Sequence, residues 1–326
     1  MSDESGSRQG TSRGREAESP QDISTRGYKD VLWRAWRGIS EKNLFLVAGG
    51  ATYSVLVALF PGLLALVSVY GLFFDRAQVG KQVAALSGML PQAAQKLIED
   101  ELQQIVSSSH SALGFGAIVG LLFALWSASR GMSGLMSALD IAYSQEEKRG
   151  FFKFNLVAIV LTLGLLVFGI IAIVLVAVLP AVVTSVSASA WFKWLVVIVE
   201  WPVLMIVVMT ALSILYRFAP DRHPAKLKWL TPGAAAATLL WIVGSILFSI
   251  YVSNFANYNA TYGSLGAVIV LLTWLYLSSV LVLLGAEINN ELERQTRKDT
   301  TVEPPKPLGQ RGAYSADTVG EASDAR

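Results

Sequence analysis

Apolar residues along this chain gather into six long runs, near residues 44–74, 113–139, 155–183, 191–216, 230–253 and 264–288, with polar connectors between them. Each run reaches or exceeds the roughly 20 residues that a helix needs to cross the hydrocarbon core of a bilayer. A helix buried in a soluble core has no need of such length. The pattern therefore predicts an all-α, polytopic membrane protein with six transmembrane helices, the second weakened by Arg130.

Two further helical patterns lie outside the runs. Tyr28, Val31, Leu32, Ala35, Trp36 and Ile39 repeat at helical spacing, while Lys29, Asp30, Arg34, Arg37 and Lys42 fall mostly elsewhere around the helix. This predicts an N-terminal amphipathic helix lying on the membrane surface, with Trp33 and Trp36 at headgroup level. Between the first two runs, Val79, Val83, Leu86 and Leu90 form one apolar stripe, and Ala94, Leu97, Ile98, Leu102, Ile105 and Val106 form another after Pro91. Two short helices, an extracytoplasmic hairpin over residues 75–112, are expected there, either packed on the spans or acting as a lid.

Charge sets the orientation. Eight basic residues precede the first span, Lys148, Arg149 and Lys153 follow the second, Arg217, Arg222, Lys226 and Lys228 follow the fourth, and six more lie in the tail. The alternate connectors hold only Arg76, Lys81 and Lys96, then Lys193, then none. Basic residues collect on the cytoplasmic side, so both termini are expected in the cytoplasm, with an even number of spans. Composition agrees: 53% of residues are hydrophobic and 15% charged, against about 25% charged in soluble domains. The net charge of +2 points to no nucleic-acid partner. Basic residues at the membrane surface instead favour anionic lipid headgroups. With no cysteine in the chain, disulfides and thiolate metal sites are excluded. The first apolar run begins too late and is too long for a cleaved secretory signal. Residues 1–27 and 296–326 are rich in Ser, Gly, Arg, Glu and Pro and poor in periodic apolar positions, which predicts a disordered cytoplasmic arm and tail flanking a membrane domain of residues 28–295.

Small residues recur within the runs: Gly116 and Gly120, Gly131 and Gly134, and the stretch from Gly233 to Ala237. They let helix backbones approach closely, and packing is their default reading. Pro61 and Pro202 are expected to kink their helices.

Ionisable groups inside the spans are more informative, because an Arg or Asp at a helix centre costs about 2.5–3.5 kcal/mol even on the milder insertion scales. Arg130, Asp140, Glu200 and Glu287 form the candidate intramembrane polar site. Arg130 and Glu287 fall in the cytoplasmic half, where they would pair, or where Arg130 would receive an anionic headgroup or substrate. Glu200, in the outer half, is expected to be protonated in the bundle or to line a polar cavity. Asp140, near the interface, is read as a cap or a snorkelling group. The uncharged stretch of residues 254–263 supplies Asn254, Asn257, Tyr258 and Tyr262 as candidate outer-mouth groups, with a structural role as the alternative.

Four blocks carry a family resemblance: ATYSVLVALFPGLLALVSVYGLF (Ala51 to Phe73), WSASRGMSGLMSALDIAY (Trp126 to Tyr143), LYRFAPDR (Leu215 to Arg222) and YNATYGSLGAVIVLLTWLYLSSVLVLLGAEINNELE (Tyr258 to Glu293). In this order and spacing they resemble the YihY / virulence factor BrkB family over roughly residues 30–295. The resemblance implies a six-span protein of the bacterial inner membrane, for which transport or flipping of a lipid or other amphiphile has been suggested. It also implies that the ribonuclease BN label borne by many members is a misassignment. The residues themselves oppose a nuclease: the two histidines, His110 and His223, are expected on opposite sides of the membrane, and no metal-ligating cluster, phosphate-cradling loop or aromatic-interleaved basic patch occurs. No catalytic residue, metal or cofactor is expected. Two readings stand: a transport or flipping protein for lipids or amphiphiles, and a non-transporting scaffold of envelope integrity in which the intramembrane charges merely pair. Membrane lipids are the expected partners, and a homo-oligomer is a generic expectation.

Overall fold

The computed structural model describes residues 13–73, 115–175, 190–254, 264–302 and 304–324. All regular structure among them is helical, apart from one isolated antiparallel bridge between Ala225 and Thr301. The elements are α1 (Thr25–Glu41), α2 (Leu44–Phe73), α3 (Phe115–Ala142), α4 (Phe151–Ile173), α5 (Ala190–Phe218), α6 (Leu227–Asn254), α7 (Ser264–Glu293) and the single turn α8 (Tyr314–Asp317). Among the described residues, five stretches are long and apolar enough to cross a membrane: Leu44–Leu63, Phe151–Ile173, Ile198–Phe218, Leu227–Ser253 and Val268–Glu293. The protein is a multi-pass membrane protein. The expected hairpin of residues 75–112 lies outside the described residues, as does His110.

Each long helix packs on the next, from α2 through α7, and α7 returns to α2, so the neighbours form a closed ring. One end of this ring gathers the start of α2, the end of α3, the start of α4, the end of α5, the start of α6 and the end of α7, together with both terminal segments. The main core sits in this terminal half, around Met136, Leu139, Tyr143, Tyr216, Leu230 and Leu283. Beyond it, described residues of α4 past Thr162, of α5 before Ser213 and of α6 past Thr238 include no buried side chain. By contrast, α2 and α3 stay in close contact well into the bundle. A Cβ at Gly131 or Gly134 would collide with Ala58 or Ser54 of α2. Gly233 and Gly285 face each other across α6 and α7 in the same way, so small residues here set the backbone separation. Gly120 has open space around it and plays no such part. Pro61 and Pro202 lie inside continuous helices.

Two expectations about the ends are corrected. The arm and tail were expected to be disordered, yet residues 13–24 and 294–324, apart from 303, fold onto the terminal end, burying Arg15, Ala17, Thr296, Arg311 and Ser315. Polar composition misleads because guanidinium groups hold these segments together with a small apolar cluster in which Ala17 and Ile23 pack on Val31, Trp229 and Leu292. Arg311 donates to the carbonyls of Ala316 at 2.7 Å and Arg297 at 2.8 Å, and Arg15 donates to that of Gly320 at 2.6 Å. Helix α1, capped by Ser24 on the Gly27 N–H, also differs from expectation. Its apolar stripe is divided: Val31 and Ala35 are buried against the protein, while Tyr28, Leu32 and Trp36 stay exposed. The buried face also takes in Asp30 and Arg34, because these are the groups that tie down the termini.

Candidate functional site

The conspicuous polar site is a layer at the terminal end of the ring. Lys42, in the turn between α1 and α2, places its Nζ 2.6 Å from Glu287 Oε2 of α7 and 2.6 Å from the carbonyl of Ala142 at the end of α3. One ammonium thereby neutralises a fully buried carboxylate and satisfies an orphan helix-terminal carbonyl. Glu287 Oε1 lies against Gly38 of α1, where a Cβ would overlap it, and accepts no hydrogen bond from the described residues. The expected Arg130–Glu287 pair is therefore not formed. Arg130 is exposed on α3, with its guanidinium 4.6 Å from the centroid of the Trp126 ring, and forms no ion pair among the described residues.

Asp140 is not a snorkelling group. It is buried, accepts the Asp221 N–H at 2.8 Å and lies 3.9 Å from Arg149, so it bolts α3 to the connector between α5 and α6. Arg149 in turn donates to the Ala219 carbonyl at 2.8 Å, and Asp221 accepts the Lys148 N–H at 2.8 Å. In the next layer Arg222 holds both oxygens of Glu293 at 2.8 Å and stacks 4.9 Å from the centroid of the Tyr143 ring. Asn289 accepts the Gly233 N–H at 2.8 Å, and the Tyr216 hydroxyl donates to the Val282 carbonyl at 2.8 Å. The blocks quoted above from α3, α5 and α7 thus converge on a single network.

Outside this network Arg34 donates to Glu291 at 2.6 Å, to Gln295 at 2.8 Å and to the Glu321 carbonyl at 2.7 Å. A cleft of about 270 Å³ opens beside it, with Trp33, Arg37, Lys42, Glu287, Tyr314 and Glu321 among its walls. Glu200 stands apart, half-buried on α5 about five turns before Phe218. Asn257, Tyr258 and Tyr262 lie outside the described residues, as does the side chain of Asn254 at the end of α6. Of the four intramembrane candidates, the structure places Asp140 and Glu287 at one end of the bundle and leaves Arg130 and Glu200 separate. Lys42, Arg222 and Glu293 escaped the sequence reading. The spacing of Glu287, Glu291 and Arg294 at the end of α7 is the signal that marks one helix face as charged and buried.

Two carboxylates that hold the docked termini, Asp30 of α1 and Asp299 of the tail, are kept below their ordinary range. Burial works to raise Asp30, but the Ser323 N–H and the Arg13 guanidinium outweigh it. Burial likewise works to raise Asp299, and the N–H groups of Lys306 and Thr301 outweigh it. A depressed carboxylate stabilises the folded state above its unfolded pKa of about 3.9, and that contribution is lost as pH falls through the lower folded value. The tail is therefore expected to stay docked from neutrality to about pH 4 and to detach below it. Fluorescence anisotropy of a probe on Ala322→Cys, followed from pH 7 to 3, should drop at the acid end, and a flat profile contradicts the electrostatic docking.

Residues 35–308 match the family model described as Virulence factor BrkB. A putative ribonuclease-like protein, YfkH, of Bacillus subtilis is 35% identical over 250 residues, covering 75% of this chain and 88% of that protein. A UPF0761 membrane protein of Idiomarina loihiensis is 29% identical, covering 77% of this chain and 86% of its own. One of Haemophilus influenzae is 24% identical, covering 79% and 93%. No solved structure matches.

Proposed function

The chain belongs to the virulence factor BrkB family, and from that premise we propose that it moves a lipid or other amphiphile across the bacterial inner membrane. In this reading α3 is the sixth span, the termini are cytoplasmic and the exposed flank of α1 with Tyr28, Leu32 and Trp36 rests on the membrane surface. The observation that carries the reading is the uneven packing of the ring. One half is locked by buried ion pairs and close-packed glycines, while the outer halves of α4, α5 and α6 hold no buried side chain among the described residues and expose Leu163, Val167, Ile206, Leu239 and Val243. A rigid base with loosely packed apolar helices suits acyl chains entering between helices, and Glu200 adds a polar group in that loose region. We further read the protein as non-enzymatic and without a nucleic-acid partner. The basic side chains held inside the terminal layer, Lys42, Arg34 and Arg222, are engaged with carboxylates and carbonyls rather than turned toward a phosphate.

The test is reconstitution into phosphatidylethanolamine/phosphatidylglycerol vesicles containing trace fluorescent phospholipid. Addition of a membrane-impermeant quencher reports how fast inner-leaflet lipid reaches the outside. The protein is expected to accelerate translocation at least tenfold over protein-free vesicles. Equal rates with and without folded protein would leave the scaffold reading in its place.

A further inference from the structure

Arg130 is the group that the terminal network leaves over. It lies rather more than three turns, about 18 Å, from Ala142 along α3, well inside an apolar helix. Side chains on a helix lean toward its N-terminus. The guanidinium therefore points away from the terminal end and comes to rest on Trp126, one turn earlier. It faces outward from the ring, since Ala128, Met132, Met136 and Leu139 occupy the buried side of α3 and Gly131 and Gly134 its contact with α2. Trp126, Arg130, Ser133 and Ser137 follow at spacings of four, three and four, so they share one helix face. Trp126, Arg130 and Ser137 are exposed and Ser133 is half-buried. The hydroxyls of Ser133 and Ser137 donate to the carbonyls of Ser129 and Ser133, at 3.0 and 3.1 Å. Each hydroxyl is thus tolerated in an apolar medium, and its oxygen remains able to accept from water or a ligand.

A guanidinium directed at hydrocarbon is costly unless an anion meets it there. The abundant anion in a bilayer is the lipid phosphate, and guanidinium matches it in a bidentate fork. We propose that this face of α3 is a headgroup track for anionic phospholipid. Arg130 draws the phosphate below its usual level, and Ser133 and Ser137 keep the path from Arg130 toward the terminal end hydrated. The track lies on the bundle exterior, apart from the polar layer at the terminal end. The proposal rests on the lipid-moving reading and names its substrate class.

The absence of cysteine permits a clean single-cysteine test in phosphatidylglycerol-containing nanodiscs. Ser133→Cys and Val160→Cys lie at matched distances from the terminal ends of α3 and α4, as do Ser137→Cys and Leu156→Cys. Both Val160 and Leu156 are exposed, Val160 among apolar neighbours and Leu156 beside Lys153 and Asn155, which makes the second pair the stricter comparison. The two serine positions are expected to react with a charged, water-borne thiosulfonate at least tenfold faster than their partners. In native mass spectrometry, wild type and Arg130→Lys are expected to retain phosphatidylglycerol in preference to phosphatidylcholine, and Arg130→Ala to lose that preference at equal folded yield. Equal labelling within each pair, or lipid retention unchanged in Arg130→Ala, overturns the track. If labelling and retention come out as expected but no lipid crosses, the site stands and the translocation reading falls. If wild type and Arg130→Ala move lipid equally fast, the track falls and the translocation reading stands.

Discussion

Arg222→Ala is expected to unfold the terminal half of the bundle under conditions that leave the wild type intact, with a loss of about 3–5 kcal/mol. Arg222 and Glu293 are almost completely buried and joined by two hydrogen bonds of 2.8 Å. Thr300 adds a third bond to the same carboxylate at 2.8 Å. The guanidinium also donates to Ser315 and covers Tyr143, so one side chain ties the connector before α6 to α7, α3 and the tail. Removing it strands a carboxylate among apolar groups with only a hydroxyl for company, and that desolvation is the dominant cost. Thermal unfolding in detergent should show the loss. Replacing both partners, as Arg222→Met with Glu293→Leu, should recover much of it, because no lone charge remains. A single variant as stable as wild type, or a double variant no better than the single, would contradict a buried pair at this position.

The second large effect concerns the partner of Glu287. Lys42→Ala leaves that carboxylate fully buried and uncompensated, and is expected to cost several kcal/mol; adding Glu287→Gln should restore part of it. A double-mutant cycle should therefore give a coupling of about 1–3 kcal/mol between Lys42 and Glu287. Arg130→Ala combined with Glu287→Gln should be additive within about 0.5 kcal/mol, because the two groups share no contact. The pairing suggested by helix depth alone requires the opposite result, so unfolding of these variants separates the alternatives.

The difference between those pairings shows where sequence reasoning runs out. Depth along a span follows from counting residues at 1.5 Å each from ends read off polarity, yet in the structure Glu287, tied through Lys42 to the Ala142 carbonyl, sits about 18 Å along α3 from Arg130. Whether two groups meet depends on the azimuth of each helix, which turns by about 100° per residue and is set by packing. Gly131 and Gly134 seat α3 on α2, and that contact turns Arg130 outward. Gly38 admits the Glu287 carboxylate beneath α1, within reach of Lys42. The termini teach a related lesson. Their composition lacks the apolar surface that normally offsets ordering entropy, yet Arg15, Arg34 and Arg311 order them by bonding to backbone carbonyls. Backbone acceptors are the same in every residue and leave no mark in a sequence.

The sequence by itself determined that this is a multi-pass helical membrane protein, where its apolar helices lie and to which family it belongs. Those properties depend on the length and polarity of local segments, which a bilayer reads one helix at a time. The tertiary structure alone decided that Lys42 neutralises Glu287, that Arg222 clasps Glu293, that the termini dock and that Arg130 faces outward. Each of these depends on which faces of separate helices are turned together, and close packing at a few glycines and buried charges settles that only when the whole ring has closed.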